Sequence, residues 1–161
     1  MSKMIKDKCF VKVLAACETM GGATAICTDK TGTLTENRMT VVEGWFAGRA
    51  FDNVPAVEAL PPAVLHDLAV GVALNSRAFL MLKPNGTLDF AGSRTECALL
   101  VMLRAWQQDY EHLRREKEGR VVKVYGFSSA RKMSSVLLST ESGCVLYNKV
   151  RSNCIPSVAI Q

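Results

Sequence analysis

The chain has 161 residues, of which 48% are hydrophobic, and it carries a formal net charge of +5. This length and apolar content fit one globular domain, or one domain and part of another, and they exclude a low-complexity chain. No apolar stretch reaches the roughly 20 residues that a membrane helix needs, so we expect no transmembrane segment.

The positive charge suits nucleic acid, an anionic membrane surface or a nucleotide phosphate. The cysteines do not predict a metal site, because none forms a C-x-x-C pair and neither His66 nor His112 has ligand spacing. Scattered cysteines of this kind indicate reduced thiols in the cytosol.

Hydrophobic periodicity predicts the elements in chain order. Residues 1–17 are expected to form a helix with lysines on its polar side. The apolar run that follows predicts a buried strand over residues 24–29, with Cys27 packed as a small hydrophobe. The remaining predictions are helices at 63–75 and 95–110, a turn at 83–86, and strands at 40–46, 49–51, 121–127, 134–138 and 144–147. This pattern alone indicates a mixed α and β protein.

A polar heptapeptide, Asp-Lys-Thr-Gly-Thr-Leu-Thr at residues 29–35, follows the predicted buried strand. Ligands bind just beyond the carboxyl ends of strands in open α/β sheets. A carboxylate at that position can attack a phosphoryl group. Lys30, Thr31 and Thr33 would supply the positive charge and the hydroxyls that a transferring phosphate needs. An exposed loop is the alternative, and the ordered run behind a strand favours the functional interpretation.

These seven residues resemble the phosphorylation motif of P-type cation-transporting ATPases. Residues 17–21 and 37–42, on either side, resemble the calmodulin-regulated calcium ATPases of the plasma-membrane type (type IIB), and the resemblance extends over about residues 3–149. It implies that Asp29 is the nucleophile that ATP phosphorylates, with Lys30, Thr31 and Thr33 in the same catalytic loop. It also implies that Mg²⁺ contacts Asp29 and the backbone carbonyl of Thr31.

A second group of residues resembles the nucleotide site of the same family. The segment 127–134 resembles its adenine-site segment, which implies that Phe127 stacks on adenine and that Lys132 contacts the nucleotide. The segment 93–96 implies that Glu96 faces the purine, and Lys149 is a further nucleotide-binding candidate. Without the resemblance, Phe127 fits a core position, Lys132 a solvated one, and Glu96 a helix N-terminus where its charge suits the dipole.

The resemblance implies the start of a haloacid-dehalogenase-like phosphorylation domain, followed by a nucleotide-binding domain with an antiparallel sheet and helices. On this interpretation residues 1–22 are a helical cytosolic extension of a membrane helix, and residues 23–39 begin the phosphorylation domain. Residues 40–149 are a truncated nucleotide-binding domain. Val150 replaces the expected Gly after Lys149, and residues 150–161 resemble nothing in the family. The chain is therefore expected to be a cytosolic portion of a membrane protein.

The implied function is the ATP-binding and aspartyl-phosphorylation region of a calcium-transporting ATPase, with ATP and Mg²⁺ as cofactors. Its partners would be ATP and the membrane and actuator domains of a pump, with calmodulin binding only through regions that this chain lacks, and no nucleic acid. Related phosphatases carry a second Asp where Thr31 stands, so an aspartyl phosphate here should hydrolyse slowly. We expect that this chain alone does not turn over ATP.

Two other functions stay open at this point. The first is a stand-alone nucleotide-binding or interaction module. The second is a small phosphotransferase of the haloacid-dehalogenase class.

Overall fold

The computed structural model describes residues 2–8, 10, 12–13, 15–84 and 86–150. Its contacts divide the chain into two units, Met1–Asn37 and Arg38–Gln161. The helices are α1 (Ser2–Lys6), α2 (Ala15–Gly21), α3 (Pro62–Leu74), α4 (Arg94–Ala105) and α5 (Tyr110–Lys117). The strands are β1 (Gly44–Phe46), β2 (Arg49–Phe51), β3 (Phe79–Leu82), β4 (Leu88–Ala91), β5 (Val121–Ser128), β6 (Met133–Thr140) and β7 (Gly143–Val150).

The first unit departs from two predictions. The prediction of a single helix at 1–17 is wrong, because α1 ends at Lys6 and Lys8 takes a left-handed backbone with φ 59°. Residues 1, 9, 11 and 14 of this segment lie outside the described residues. The buried strand at 24–29 is also wrong: this segment has no strand, and both Ile26 and Cys27 are exposed. A strand needs a partner to satisfy its backbone, and none of the described strands pairs with this segment.

The core of the second unit is built from the helices α3, α4 and α5. The predicted helix at 63–75 is confirmed as α3, which begins with Pro62 at a position where its missing N–H is not needed. Trp106 is the largest of the fully buried side chains described; its Nε1 donates to the Pro55 carbonyl at 2.8 Å, and its ring meets Phe46 edge-on at 5.8 Å. The buried residues around it are Leu60, Ala69, Ala73, Ala78, Cys97, Leu100, Met102, Leu103 and Tyr110.

The helix predicted at 95–110 is in fact two shorter helices. The first part of the prediction is confirmed as α4. This helix ends at Ala105, and Gln107 takes a left-handed backbone with φ 56°. Asp109 then starts α5 as an N-cap, accepting hydrogen bonds from the amides of Glu111 and His112 at 2.9 and 3.0 Å. Asp109 is therefore a local signal for the start of a new helix, which the apolar pattern running through residues 95–110 did not indicate.

The strands form three antiparallel sheets, β1-β2, β3-β4 and β5-β6-β7. The predicted fold class, helices with antiparallel sheet, is confirmed for this unit. The strand predicted at 40–46 is confirmed only over Gly44–Phe46, and the strands predicted at 49–51, 121–127, 134–138 and 144–147 lie within observed strands. The predicted turn joins β3 to β4, with residue 85 outside the described residues.

The packing of β7 on α3 depends on Gly71. A methyl group at Gly71 would lie 2.7 Å from Cδ1 of Tyr147, closer than a rigid ring can accept. We expect Gly71→Ala to destabilise the chain by about 1 kcal/mol, because overpacking outweighs the better helix propensity of Ala. In a Tyr147→Leu background the same change should become stabilising. Urea denaturation of the four proteins measures the sign, and a stabilising Gly71→Ala with Tyr147 intact would contradict the packing.

Candidate functional site

The segment that carries the predicted nucleophile is a short irregular turn in the first unit. Asp29 precedes the turn Lys30–Leu34, and its Oδ1 accepts the amide of Lys30 at 2.7 Å. Thr31 (φ −82°, ψ 116°) and Gly32 (φ 82°, ψ −2°) have the dihedrals of a type II turn. That turn needs Gly at its third position, because φ is positive there.

All four predicted catalytic residues, Asp29, Lys30, Thr31 and Thr33, are exposed. The turn is closed by the backbone bond from the Thr35 amide to the Lys30 carbonyl at 3.1 Å. The exposed hydroxyls of Thr31 and Thr33 can donate to an anionic group, and the exposed Asp29 carboxylate can bind a cation. Within the described residues, no group of three or more His, Cys, Asp or Glu side chains could hold a metal ion.

Glu96 is the centre of a polar network in the second unit. It lies in the first turn of α4, and its Oε2 accepts hydrogen bonds from Ser76 Oγ at 3.3 Å, the Arg77 amide at 3.0 Å and the Ala78 amide at 3.2 Å. Its Oε1 forms an ion pair with the Lys149 ammonium. The carboxylate therefore fixes the loop that links α3 to β3 and also holds Lys149.

Lys149 connects this network to the three-stranded sheet. Its ammonium also donates to the Asn75 carbonyl at 2.6 Å. The amide side chain of Asn75 donates to the carbonyls of Ser134 and Tyr147, both at 3.1 Å, and accepts from Ser134 Oγ at 3.0 Å. The C-terminus of α3 is thereby tied to both β6 and β7.

The electrostatics of Glu96 favour its charged form. Burial by itself raises the pKa of this carboxyl. The hydrogen bonds from Lys149 and the Arg77 amide, together with the Lys149 charge, outweigh it, so the net pKa lies below the ordinary value of 4.5. Glu96 is therefore anionic near neutral pH, as its ion pair with Lys149 requires.

Phe127 lies in a β-bulge that aligns it with the same network. Tyr125 pairs with Ser135 and Ser128 pairs with Met133, so Gly126 and Phe127 together oppose the single residue Ser134. Ser134 in turn pairs with Lys149 on β7. Phe127, Ser134 and Lys149 thus form one row across the sheet. Phe127 is 63% exposed, so the alternative interpretation that it packs in the core is wrong.

Lys132 lies in the β5–β6 turn next to this row. It has a left-handed backbone with φ 52°, and its amide donates to the Ser128 carbonyl at 2.6 Å, which closes the turn. Within the described part of the chain, no hydrogen bond or ion pair engages its ammonium group. The row of residues and Lys132 therefore place an exposed aromatic ring and two cations at one end of the sheet.

The sequence reasoning missed Asn75 and Arg114. Arg114, on α5, donates to the carbonyls of Ala73, Ser76 and Ala78 at 2.8, 2.9 and 3.0 Å and stacks against the rings of Phe79 and Tyr110. Asn75 could have been found from the sequence, because Asn directly after an apolar helix is typical of a helix C-cap. Arg114 carried no signal, because its charge was indistinguishable from those of the exposed basic residues around it.

Most of the second unit matches a known family of protein domains. The sequence pattern of the family described as "P-type ATPase, cytoplasmic domain N" matches residues 64–153. This match contains the whole polar network, the bulge and the β5–β6 turn.

The chain belongs to this family of P-type ATPase N domains.

Individual relatives agree with the N-domain match. The chain is 44% identical to plasma membrane calcium-transporting ATPase 1 of Homo sapiens, over 96% of its own length and 13% of that protein. It is 44% identical to calcium-transporting ATPase PAT1 of Dictyostelium discoideum, over 96% of the chain and 14% of the relative. The chain thus spans about one-seventh of the length of these relatives.

The family match divides the predicted site residues into two groups. Glu96, Phe127, Lys132 and Lys149 lie inside the N-domain match, whereas residues 29–35 lie outside it. The similarity to the calcium-transporting ATPases covers nearly the whole chain. No described helix is long and apolar enough to cross a lipid bilayer. The predicted unrelated tail at 150–161 lies outside the described residues from residue 151 onward.

Proposed function

We propose that this chain is the nucleotide-binding and phosphate-accepting region of a calcium-transporting P-type ATPase. Its membership in the N-domain family and its 44% identity to two calcium-transporting ATPases support the family and the ion. The main support for a nucleotide site is the row formed by Phe127, Ser134 and Lys149, with Lys132 in the adjacent turn.

The base of ATP binds against the Phe127 ring. An exposed aromatic ring offers an apolar face to a purine, and stacking of this kind contributes about 1–3 kcal/mol per base. Phe127 is 63% exposed, which leaves its ring accessible. The ammonium groups of Lys132 and Lys149 then attract the phosphates or the polar edge of the base.

Glu96 acts in this proposal through Lys149. Its carboxylate oxygens already accept four hydrogen bonds from Ser76, Arg77, Ala78 and Lys149. A carboxylate with this many internal partners has little capacity left for a purine. In this proposal Glu96 holds the Lys149 ammonium and the loop between α3 and β3 in place. It does not make the purine contact that the resemblance implied.

Asp29 accepts the γ-phosphoryl group. One carboxylate oxygen attacks the γ-phosphorus, the bond to the β–γ bridging oxygen breaks, and ADP leaves with the electron pair of that bond. The oxygen-rich loop fits Mg²⁺, which binds proteins through one or two carboxylates and substrate phosphates. Asp29 and the Thr31 carbonyl would hold it, and it would neutralise phosphate charge. Lys30, Thr31 and Thr33 orient the transferred group through their charge and hydroxyls.

The nucleotide site is tested by replacing its aromatic ring. Phe127→Ala should weaken ATP binding to this chain by roughly tenfold, because the base loses its stacking partner. Isothermal titration calorimetry measures the affinity. Trp45→Ala is the matched control, since Trp45 is also an exposed aromatic residue, at 72%, but lies on β1.

Two outcomes would contradict the proposal. The first is equal ATP affinity in the unchanged chain and in Phe127→Ala. The second is an equal loss of affinity in Phe127→Ala and Trp45→Ala, which would show that any removed surface ring has the same effect.

A further inference from the structure

The bulge that places Phe127 is held by a side chain from the following turn. Arg131 donates from Nη2 to the Gly126 carbonyl at 2.7 Å, across the start of the β5–β6 connection. We propose that Arg131 is a positioning residue that sets the direction of the Phe127 ring by fixing the bulge. This inference rests on the proposed function, because the ring is taken as the platform for the base.

The register explains why the bulge needs support. Two residues of β5, Gly126 and Phe127, oppose one residue of β6. A bulge interrupts the ladder and bends the strand, so the local backbone is less constrained by pairing. Gly126 adds no packing, since a methyl group there would meet nothing within 4 Å. The charge-assisted bond from Arg131 supplies a constraint at the point where the ladder is interrupted.

The two adjacent cations of this turn have different surroundings. The Arg131 guanidinium is directed back to the backbone of β5, whereas no bond to the described residues engages the Lys132 ammonium. Lys132 has a left-handed backbone, with φ 52°, within the turn that its amide closes on the Ser128 carbonyl. Lys132 therefore remains available to a ligand, and Arg131 acts on the ligand through Phe127.

A double-mutant cycle on the whole chain separates this role from direct contact. Arg131→Gln alone should weaken ATP binding by roughly three- to tenfold, because the ring loses its fixed direction. In the Phe127→Ala background, Arg131→Gln should have almost no further effect. Arg120→Gln is the matched control, since it removes an exposed guanidinium at the other end of β5 and should leave affinity unchanged.

A structural readout accompanies the cycle. In ligand-free protein, Arg131→Gln should shift the backbone amide NMR signals of Gly126 and Phe127, and Arg131→Lys should restore them partly because an ammonium still donates to the carbonyl. Arg120→Gln should leave both signals in place. Unchanged Gly126 and Phe127 signals in Arg131→Gln would overturn the inference.

The outcomes distinguish the two proposals. If Phe127→Ala does not weaken ATP binding, the proposed nucleotide site is wrong, and the positioning role of Arg131 is wrong with it. If Phe127→Ala weakens binding but Arg131→Gln costs the same in both backgrounds, Arg131 contacts the ligand itself. The positioning role is then wrong, while the proposed function stands.

Discussion

Arg114→Ala is expected to lower the free energy of unfolding by about 3–4 kcal/mol. The change leaves three carbonyls, those of Ala73, Ser76 and Ala78, without the guanidinium that binds them at 2.8–3.0 Å. It also removes the stacking of the cation on two aromatic rings. Urea denaturation followed by circular dichroism measures the loss, with an unchanged m-value as the sign that both proteins unfold alike.

The neighbouring residue provides the control for this prediction. Arg115→Ala removes the same type of side chain from an exposed position on α5 and should change stability by less than about 0.5 kcal/mol. Arg114→Lys should recover only part of the loss, because an ammonium cannot match the planar arrangement of donors. A loss below about 1 kcal/mol in Arg114→Ala would mean that water replaces the guanidinium at little cost.

Glu96→Ala is expected to lower the free energy of unfolding by about 2–4 kcal/mol. It removes the acceptor for two loop amides and leaves the Lys149 ammonium, whose side chain is only 30% exposed, without its carboxylate. Chemical denaturation checks the value. Glu58→Ala, at an exposed position in a single helical turn, should change stability by less than about 0.5 kcal/mol.

The ion-pair part of this effect has a defined pH dependence. The pKa of Glu96 is lowered in the folded chain, so its contribution is complete above the ordinary value of 4.5 and is lost as the pH falls through the folded value. The stability difference between the unchanged chain and Glu96→Gln should therefore be constant above the ordinary pKa of 4.5 and shrink as the pH falls below it. A difference that stays constant below this value as well would contradict the ion pair.

Local sequence signals predicted much of the second unit. α3 has a continuous apolar pattern that starts at Pro62, and the β3–β4 hairpin has a turn sequence between two short apolar runs. Both signals act over a few residues, so they can be read without knowledge of the rest of the chain. The failed strand at 24–29 is the opposite case, because its pairing depends on partner strands that no local pattern reveals.

The candidate site was predictable in its residue types but not in its connections. Resemblance named Glu96, Phe127, Lys132 and Lys149, and the structure places Glu96 and Lys149 in one ion pair. The bulge that aligns Phe127 with Ser134 and Lys149 follows from a register shift, which periodicity cannot show. Asn75 binds residues 59 and 72 positions away, and such pairings arise only when the whole unit packs.

The span of these hydrogen bonds has a consequence for the order in which the molecule forms. Lys149 bonds Asn75, 74 positions earlier, and Glu96, 53 positions earlier. Contacts this distant in sequence close large loops, so they form late and slow the folding reaction. A ligand that needs these contacts recognises only completed molecules, and its binding draws the folding equilibrium toward the native state. Under the proposed function, ATP would therefore raise the urea concentration at which half of the molecules unfold.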